Sequence, residues 1–531
     1  MAFAADEATV ALRTVLTALG MSALLLPGAA GGVVVTGQGQ APLARRQGNQ
    51  PLLLAVKRSA AAEQLVARAG GDLVSSSLGV WRIAGPAASR IVHTLSARGL
   101  LRYAEPDRTR LVAGHLDHGD PLLAEAWQIA RVGADAIEPP DGGVPLAIVD
   151  TGLDTSNPDF AGRPDITLLD AQHVGGFRTD SYHGTIVAST AAAAANGVGT
   201  VGIQPYVPLR IWDLKSLDDG AIIAALDVVS RSCPEVVNLS IGGPGYSRAL
   251  NDAVLRLVAR GCLVVAAAGN SYLDGNPTIY PARTPHVLTV AASDESDSPA
   301  LFSSAGKWVD LAAPGVDIPV QSPDSPDDHA LADGTSFAAP IVAAAASWVW
   351  TERPDLDASQ IFDLLRSTAR DIGPSGFDTR TGFGLVNIPG ALAAPAPPPD
   401  PGEPNDDISL ISAGGVFGAA RPPLSGPITA RLDSIEDPRD VYRIIVPAGA
   451  TMRATVTPGG PLGLSIWNAT TRSVQGPKSH RIALGSLRSD QSLVATWRNP
   501  SSRPSTAYVA VSIPGGRGGL ETTYTLSVAS S

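Results

Sequence analysis

Cysteine is almost missing from this chain. Its 531 residues include two, Cys233 and Cys262, and no CxxC pair. A zinc ribbon and a thioredoxin-type redox site are therefore excluded. The two thiols either form one disulfide or pack separately as small apolar groups. Charge is also sparse, at 17% of residues, and its balance is acidic, −11. That argues against nucleic-acid binding as the main role. No GKS/T phosphate loop, HExxH or GxSxG motif occurs. The GxGxxG match at residues 197–202 comes after an alanine-rich helical stretch, not a strand, so it fails the context a dinucleotide site needs. Beyond residue 30 no apolar stretch is long enough to span a membrane.

What is present describes a globular protein of several domains, with 44% apolar residues over a length too great for one core. Residues 14–30 are mostly small and apolar, with Arg13 before them and a polar, Gly-rich stretch, 31–50, after them. They read as a secretory signal peptide rather than a buried helix. From 51 to 111 the pattern is strand, helix, two short strands, helix, strand, the order of a split βαβ unit. A core of that size is marginal alone and is expected to lean on the neighbouring domain. Residues 112–120 are polar, with Gly and His, and read as an exposed linker.

From 121 to 392 continuous apolar strands alternate with helices, which indicates a mostly parallel sheet covered on both faces. Functional groups then belong at the carboxyl ends of the strands. Residues 393–404 form a Pro-rich tether. From 405 to 531 period-2 runs separated by Gly and Pro read as a small antiparallel sandwich. The fold class expected is a doubly wound α/β core, preceded by a small ferredoxin-like α+β unit and succeeded by an all-β sandwich. Asn468-Ala469-Thr470 is a glycosylation sequon, relevant only in a eukaryotic secretory pathway.

Three chemically capable residues fall at element ends of the α/β region. Asp150 comes directly after the apolar strand 146–149 and opens Asp-Thr-Gly. His183 opens His-Gly-Thr where a helix starts. Ser336 lies in Gly334-Thr335-Ser336-Phe337-Ala338-Ala339-Pro340, at the head of an apolar helix. Taken singly, each has a structural explanation as a turn residue or a helix cap. Together they supply a nucleophile, a base to take its proton and a carboxylate to orient the base.

These three motifs, in the order Asp, His, Ser, resemble those of the subtilisin-like serine proteases (subtilases, peptidase S8 type). The resemblance implies Ser336 as nucleophile, His183 as general base and acid, and Asp150 as its orienter. It implies Asn270, in Ala266-Ala267-Ala268-Gly269-Asn270, as the oxyanion donor. By the same likeness Ser240, Ile241 and Gly242 form the substrate-binding strand. Ala267, Ala268 and Gly269 form one wall of the first specificity pocket, and Ile279-Tyr280-Pro281-Ala282 its base. A structural calcium ion is implied at the loop 194–200, with Asn196, Asp159 and Asp120 as ligands; catalysis needs no cofactor. Residues 51–111 resemble the family's propeptide, an intramolecular inhibitor released by self-cleavage in 112–120. The C-terminal part resembles the pre-peptidase sandwich of secreted bacterial proteases. The resulting expectation is a secreted, self-processing, monomeric serine endopeptidase that acts on proteins or peptides through an acyl-enzyme, with broad or apolar side-chain preference. Its rivals are a catalytically idle binding protein of the same fold and an esterase or amidase using the same triad.

Overall fold

The computed structural model describes residues 51–57, 59–84, 87–107, 111–112, 115–117, 126–170, 182–196, 199–321, 329–411, 424–475, 478–514 and 521–531. The signal peptide and linker expected in residues 1–50, and Asp120, lie outside them.

The first unit runs β1 (Leu52–Val56), α1 (Ala60–Arg68), β2 (Asp72–Ser75), β3 (Val80–Ile83), α2 (Ala87–Ala97), β4 (Leu101–Pro106). Its strands form one sheet in the order β2-β3-β1-β4. Ser59 starts α1 by accepting from the Ala62 N–H, 3.2 Å. Period 2 in β1 sends Leu54 and Val56 to one face, where they pack with Val66, Ile91 and Leu95. Leu53 and Ala55 go to the other face and join a core shared with Ile222, Leu226 and Val254 of the next unit. The small unit thus completes its burial on its neighbour.

The stretch read as an exposed linker carries two short strands instead, β5 (Leu111–Val112) and β6 (His115–Asp117). Side-chain polarity does not reveal them, because an extended segment pairs through its peptide groups with any open strand edge.

The central sheet has seven parallel strands: β7 (Leu146–Asp150), β8 (Ile166–Leu168), β9 (Leu209–Asp213), β10 (Val236–Leu239), β12 (Leu263–Ala267), β14 (Val287–Ser293) and β15 (Leu311–Pro314). Their order is β15-β14-β12-β10-β7-β9-β8. Strand order reverses beside β7, the place where an open α/β sheet leaves a crevice at its carboxyl ends. Helices α5 (Asp219–Val229) and α6 (Arg248–Ala259) cover one face. The other face packs α3 (Trp127–Arg131), α4 (Tyr182–Ala192), α7 (Thr335–Glu352), α8 (Ala358–Ser367) and α9 (Ile388–Ala393). Burial on both sides explains why β7, β10, β12 and β14 are buried at every residue. Four short strands complete the region: β11 (Ile241–Pro244), β13 (Ile279–Tyr280), β16 (Ile318–Gln321) and β17 (His329–Asp333). Cys233 and Cys262 form a disulfide just ahead of the neighbouring strands β10 and β12. A loop of this separation, 29 residues, stabilises by about 3.5 kcal/mol in the chain-entropy account.

The first unit docks on α5 and α6 with its acidic residues at their N-termini. The Glu105 carboxylate accepts from Ser247 Oγ (3.1 Å) and from the Arg248 and Ala249 N–H groups that open α6. Asp107 accepts from the Gly220 N–H (2.9 Å) at the start of α5 and from Arg82. Each carboxylate satisfies orphan donors and complements the helix dipole.

The C-terminal sandwich packs a five-stranded sheet on a four-stranded one. Three strands not evident in the period-2 pattern, Ile428–Asp433, Arg481–Leu484 and Ser486–Leu487, join those that were. The tether lies along the α/β body, with the Ala394 carbonyl accepting from Arg353 and the Pro397 carbonyl from Gln360. No described helix is long and apolar enough to cross a membrane.

Candidate active site

Asp150 ends β7 with its side chain fully buried. Its Oδ1 accepts from the Thr151 N–H and lies 2.7 Å from Nδ1 of His183. Oδ2 is buried with no hydrogen-bond partner. His183 is the second residue of α4, and close approach of that helix to the Asp150 turn sets its reach. The approach depends on Gly184: a Cβ there would stand 2.2 Å from the Gly152 carbonyl oxygen. The Gly184 N–H also donates to Thr151 Oγ1, 2.9 Å. A carboxylate on Nδ1 fixes the imidazole tautomer and leaves Nε2 to act as a base.

Ser336 is the second residue of α7, next to Phe337, whose ring centroid lies 6.2 Å from that of His183. Its position comes from a proline. In a helix the Ser336 carbonyl would receive the N–H of residue 340, but Pro340 has none. The carbonyl accepts from Ser240 Oγ instead, 2.8 Å, and Ser336 Oγ donates back to the Ser240 carbonyl, 3.1 Å. Serine and substrate strand are thereby clamped together, since Ser240 runs directly into β11. A proline four residues past a serine was the sequence signal for this clamp, and sequence reasoning passed over it.

Asn270 is fixed end-on. Its Oδ1 accepts from both the N–H (2.9 Å) and Oγ1 (2.8 Å) of Thr335. Thr335 Oγ1 in turn accepts from the Gly269 N–H, 3.1 Å. With the carbonyl end committed to donors, the other end of the side chain must be the NH2. It stands beside the first turn of α7, where the Ser336 N–H is among the orphan donors. From sequence Thr335 reads as part of the turn that exposes Ser336, and in the fold it also orients this amide.

Of the expected pocket residues, Ala267, Ala268 and Ala282 are buried. Gly242 and Gly269 both face Ile279. A Cβ on Gly242 would lie 2.7 Å from Ile279 Cγ2, and one on Gly269 2.7 Å from Cγ1. Ile279 therefore fills the space between the two glycines.

The loop expected to hold calcium brings Asn196 to the Pro158 carbonyl beside Asp159; residues 197 and 198 lie outside the described residues. Asp159 Oδ1 accepts from the Thr200 N–H (3.2 Å), and Oδ2 from Ser189 Oγ (3.0 Å) and Thr200 Oγ1 (3.2 Å). The Asn196 amide donates to the Pro158 carbonyl, 3.0 Å. The hydroxyls of Ser189 and Thr200 tie this carboxylate to α4 and to the far end of the loop.

Fold and site together define a class, the serine peptidases built on a doubly wound parallel sheet. Residues 141–384 match the Subtilase family. Subtilisin amylosacchariticus of Bacillus subtilis subsp. amylosacchariticus is 31% identical over 344 residues, covering 63% of this chain and 86% of that protein. Subtilisin DY of Bacillus licheniformis is 38% identical over 257 residues, 47% of this chain and 90% of that one. Among solved structures, fervidolysin from Fervidobacterium pennivorans, described as a keratinolytic enzyme related to subtilisin, aligns with a TM-score of 0.58 at 20% identity, over 85% of this chain and 76% of that one. The chain belongs to the subtilase family.

Proposed function

We infer that this protein is a secreted serine endopeptidase that matures by cutting its own chain, with Ser336, His183 and Asp150 as the catalytic triad. Ser336 Oγ turns from the Ser240 carbonyl to the substrate carbonyl and gives its proton to His183 Nε2. The imidazolium so formed is held by Asp150 through Nδ1–H. The Ser336 N–H and the Asn270 NH2 receive the oxyanion. Collapse expels the amine with the proton from His183 and leaves an acyl-enzyme, which water hydrolyses by the same relay. Subtilases need no cofactor for this chemistry. Secretion is supported by the apolar run of residues 14–30 and fits a disulfide, which persists in oxidising compartments.

The observation that carries the reading is the course of the chain past Ser336. Leu111 and Val112 pair antiparallel with Gly242 and Ile241. His115 pairs with Asp333, three residues before Ser336. Ile241 adjoins Ser240, whose carbonyl holds the Ser336 hydroxyl. The chain is thus held as a substrate strand on either side of the nucleophile, and the bond to be cut falls between Val112 and His115. Residues 51–112 then remain as an inhibitor, docked through Glu105 and Asp107. Peptide substrates enter by the same strand addition to β11. Ile279, filling the space between Gly242 and Gly269, favours small side chains at the residue before the cut.

Expression of the full chain and of Ser336→Ala tests this. The parent yields a new N-terminus at Ala113, Gly114 or His115 and hydrolyses casein; the variant stays uncut and inactive. Cleavage at the same place in the variant would refute the assignment.

A further inference from the structure

The contact that docks the first unit on α6 is a finished carboxylate site. Only Gly245, Tyr246 and Ser247 separate the end of β11 from the start of α6. The N-terminus of this twelve-residue helix therefore opens beside the edge that receives peptide. Ser247 is 2% exposed, and its Oγ accepts from the Leu250 N–H, 3.3 Å, which turns its own proton outward. That proton goes to the Glu105 carboxylate, 3.1 Å, which also takes the Arg248 and Ala249 N–H groups. Arg248 adds a full positive charge. Its guanidinium lies 4.6 Å from the Tyr103 ring centroid and 4.0 Å from the Asp252 carboxylate.

Every one of these donors belongs to the peptidase body, while the carboxylate that fills them belongs to the first unit. The Arg248 and Ala249 N–H groups lie in the first turn and have no acceptor within the helix. Departure of the first unit leaves them, and the Ser247 proton, without this acceptor. The companion contact is built differently. Asp107 accepts from the Gly220 N–H of α5, but Arg82, which balances its charge, belongs to the first unit as well. Arg82 also pairs with Asp218, the N-cap of α5. Without Arg82, Asp218 repels a second acid placed there. Of the two helix N-termini, α6 alone keeps a cationic side chain of its own body beside the donors.

We propose that, once the first unit has left, Ser247 and the Arg248 and Ala249 N–H groups bind an acidic side chain of the substrate, well upstream of the cut. The inference rests on the reading of Ser336 as nucleophile and of residues 51–112 as a removable inhibitor. The chain itself gives the spacing, for Glu105 precedes by six residues Leu111, which pairs with Gly242. A substrate strand added to β11 on the same course brings the residue six places ahead of that pairing to α6. The substrates favoured are extended protein segments with glutamate at that place. Glutamine there can accept from the N–H groups but brings no charge to meet the helix dipole and Arg248. Lysine brings the wrong sign and no acceptor.

The test uses the processed enzyme, separated from its first unit by gel filtration, and quenched fluorescent peptides copied from residues 104–117. One peptide keeps the natural sequence; the others carry Glu105→Gln, Glu105→Lys or Asp107→Asn. Glutamine is expected to lower kcat/KM about tenfold and lysine further, chiefly through KM, whereas Asp107→Asn changes it less than about twofold. An enzyme carrying Arg248→Glu should lose most of the preference for glutamate over lysine. That ratio is taken within one enzyme, so a general loss of activity does not mimic it. Should the variant fail to fold or mature, the four peptides on the parent enzyme decide alone. Equal kcat/KM for the glutamate, glutamine and lysine peptides would overturn the inference and leave the peptidase reading intact. An equal loss with Asp107→Asn would mark general charge attraction and overturn the assignment to α6. Failure to hydrolyse casein as well as the peptides would instead overturn the peptidase reading on which the inference rests.

Discussion

Asn270 offers a way to separate chemistry from architecture. Its carbonyl end holds Thr335, and its amide end is assigned to the oxyanion. Asn270→Asp keeps an oxygen for both Thr335 donors and replaces only the NH2. Loss of one oxyanion donor costs about 3 kcal/mol, or roughly two to three decades in kcat. A carboxylate facing the developing negative charge adds to that. The melting temperature should move little, because the Thr335 bonds persist. Asn270→Ala removes both ends. Its kcat falls by a similar factor, but the fully buried Thr335 N–H and hydroxyl lose their acceptor, at about 1–3 kcal/mol of stability. Self-cleavage of the full chain gives a first-order rate for all three proteins without a substrate-binding step. Steady-state hydrolysis of a peptide p-nitroanilide by the processed fraction then gives kcat and KM, with KM expected near the parent value. A folded Asn270→Asp protein that cleaves within tenfold of the parent rate would refute the oxyanion role.

Pocket, inhibitor and buried acid each have an expected response of their own. Ile279→Gly should open the first pocket: kcat/KM for a phenylalanine p-nitroanilide rises at least tenfold relative to the alanine analogue, and an unchanged ratio would remove Ile279 as the determinant. Glu105→Gln with Asp107→Asn strips two helix N-termini of their carboxylates, at about 0.5–1 kcal/mol each, so the lag between self-cleavage and full activity should shorten several-fold in a progress curve. Glu235, wholly buried with Arg210 at 3.3 Å, is pushed by burial from 4.5 up to about 7. The folded state then holds a proton that the unfolded state releases. Its stabilisation, on the order of 3 kcal/mol, is complete at acid pH and is lost as pH rises from about 4.5 through 7. Thermal melts of the Ser336→Ala protein should therefore fall across that window, and Glu235→Gln should flatten the fall.

The parallel sheet was legible because burial on both faces writes continuous apolar runs such as 146–149 and 263–267. Asp150, His183 and Ser336 were legible as reactive residues at strand and helix ends, and the structure brings Asp150 onto His183. Other features depend on what the fold places opposite a residue. Cys233 and Cys262 read equally as thiols until their Cα atoms stand 5.1 Å apart. The Asp159 loop was read from its likeness to a calcium loop, and only the fold brings the Ser189 and Thr200 hydroxyls onto its carboxylate. Ile279 reads as an ordinary strand residue, and only the glycines it faces give it meaning. The strands at 111–117 have no side-chain signature at all.

Pro340 sets stability against activity. Replacing it with alanine would return the missing N–H to the Ser336 carbonyl and improve α7 by about 3 kcal/mol of helix propensity. The Ser240 hydroxyl would then lose its place on that carbonyl, and the nucleophile would be anchored to its own helix instead of to the strand that receives the peptide. A search for thermostable variants would select such a change, and a search for fast ones would discard it. The residue that looks like a flaw in the longest described helix keeps nucleophile and substrate in a common frame.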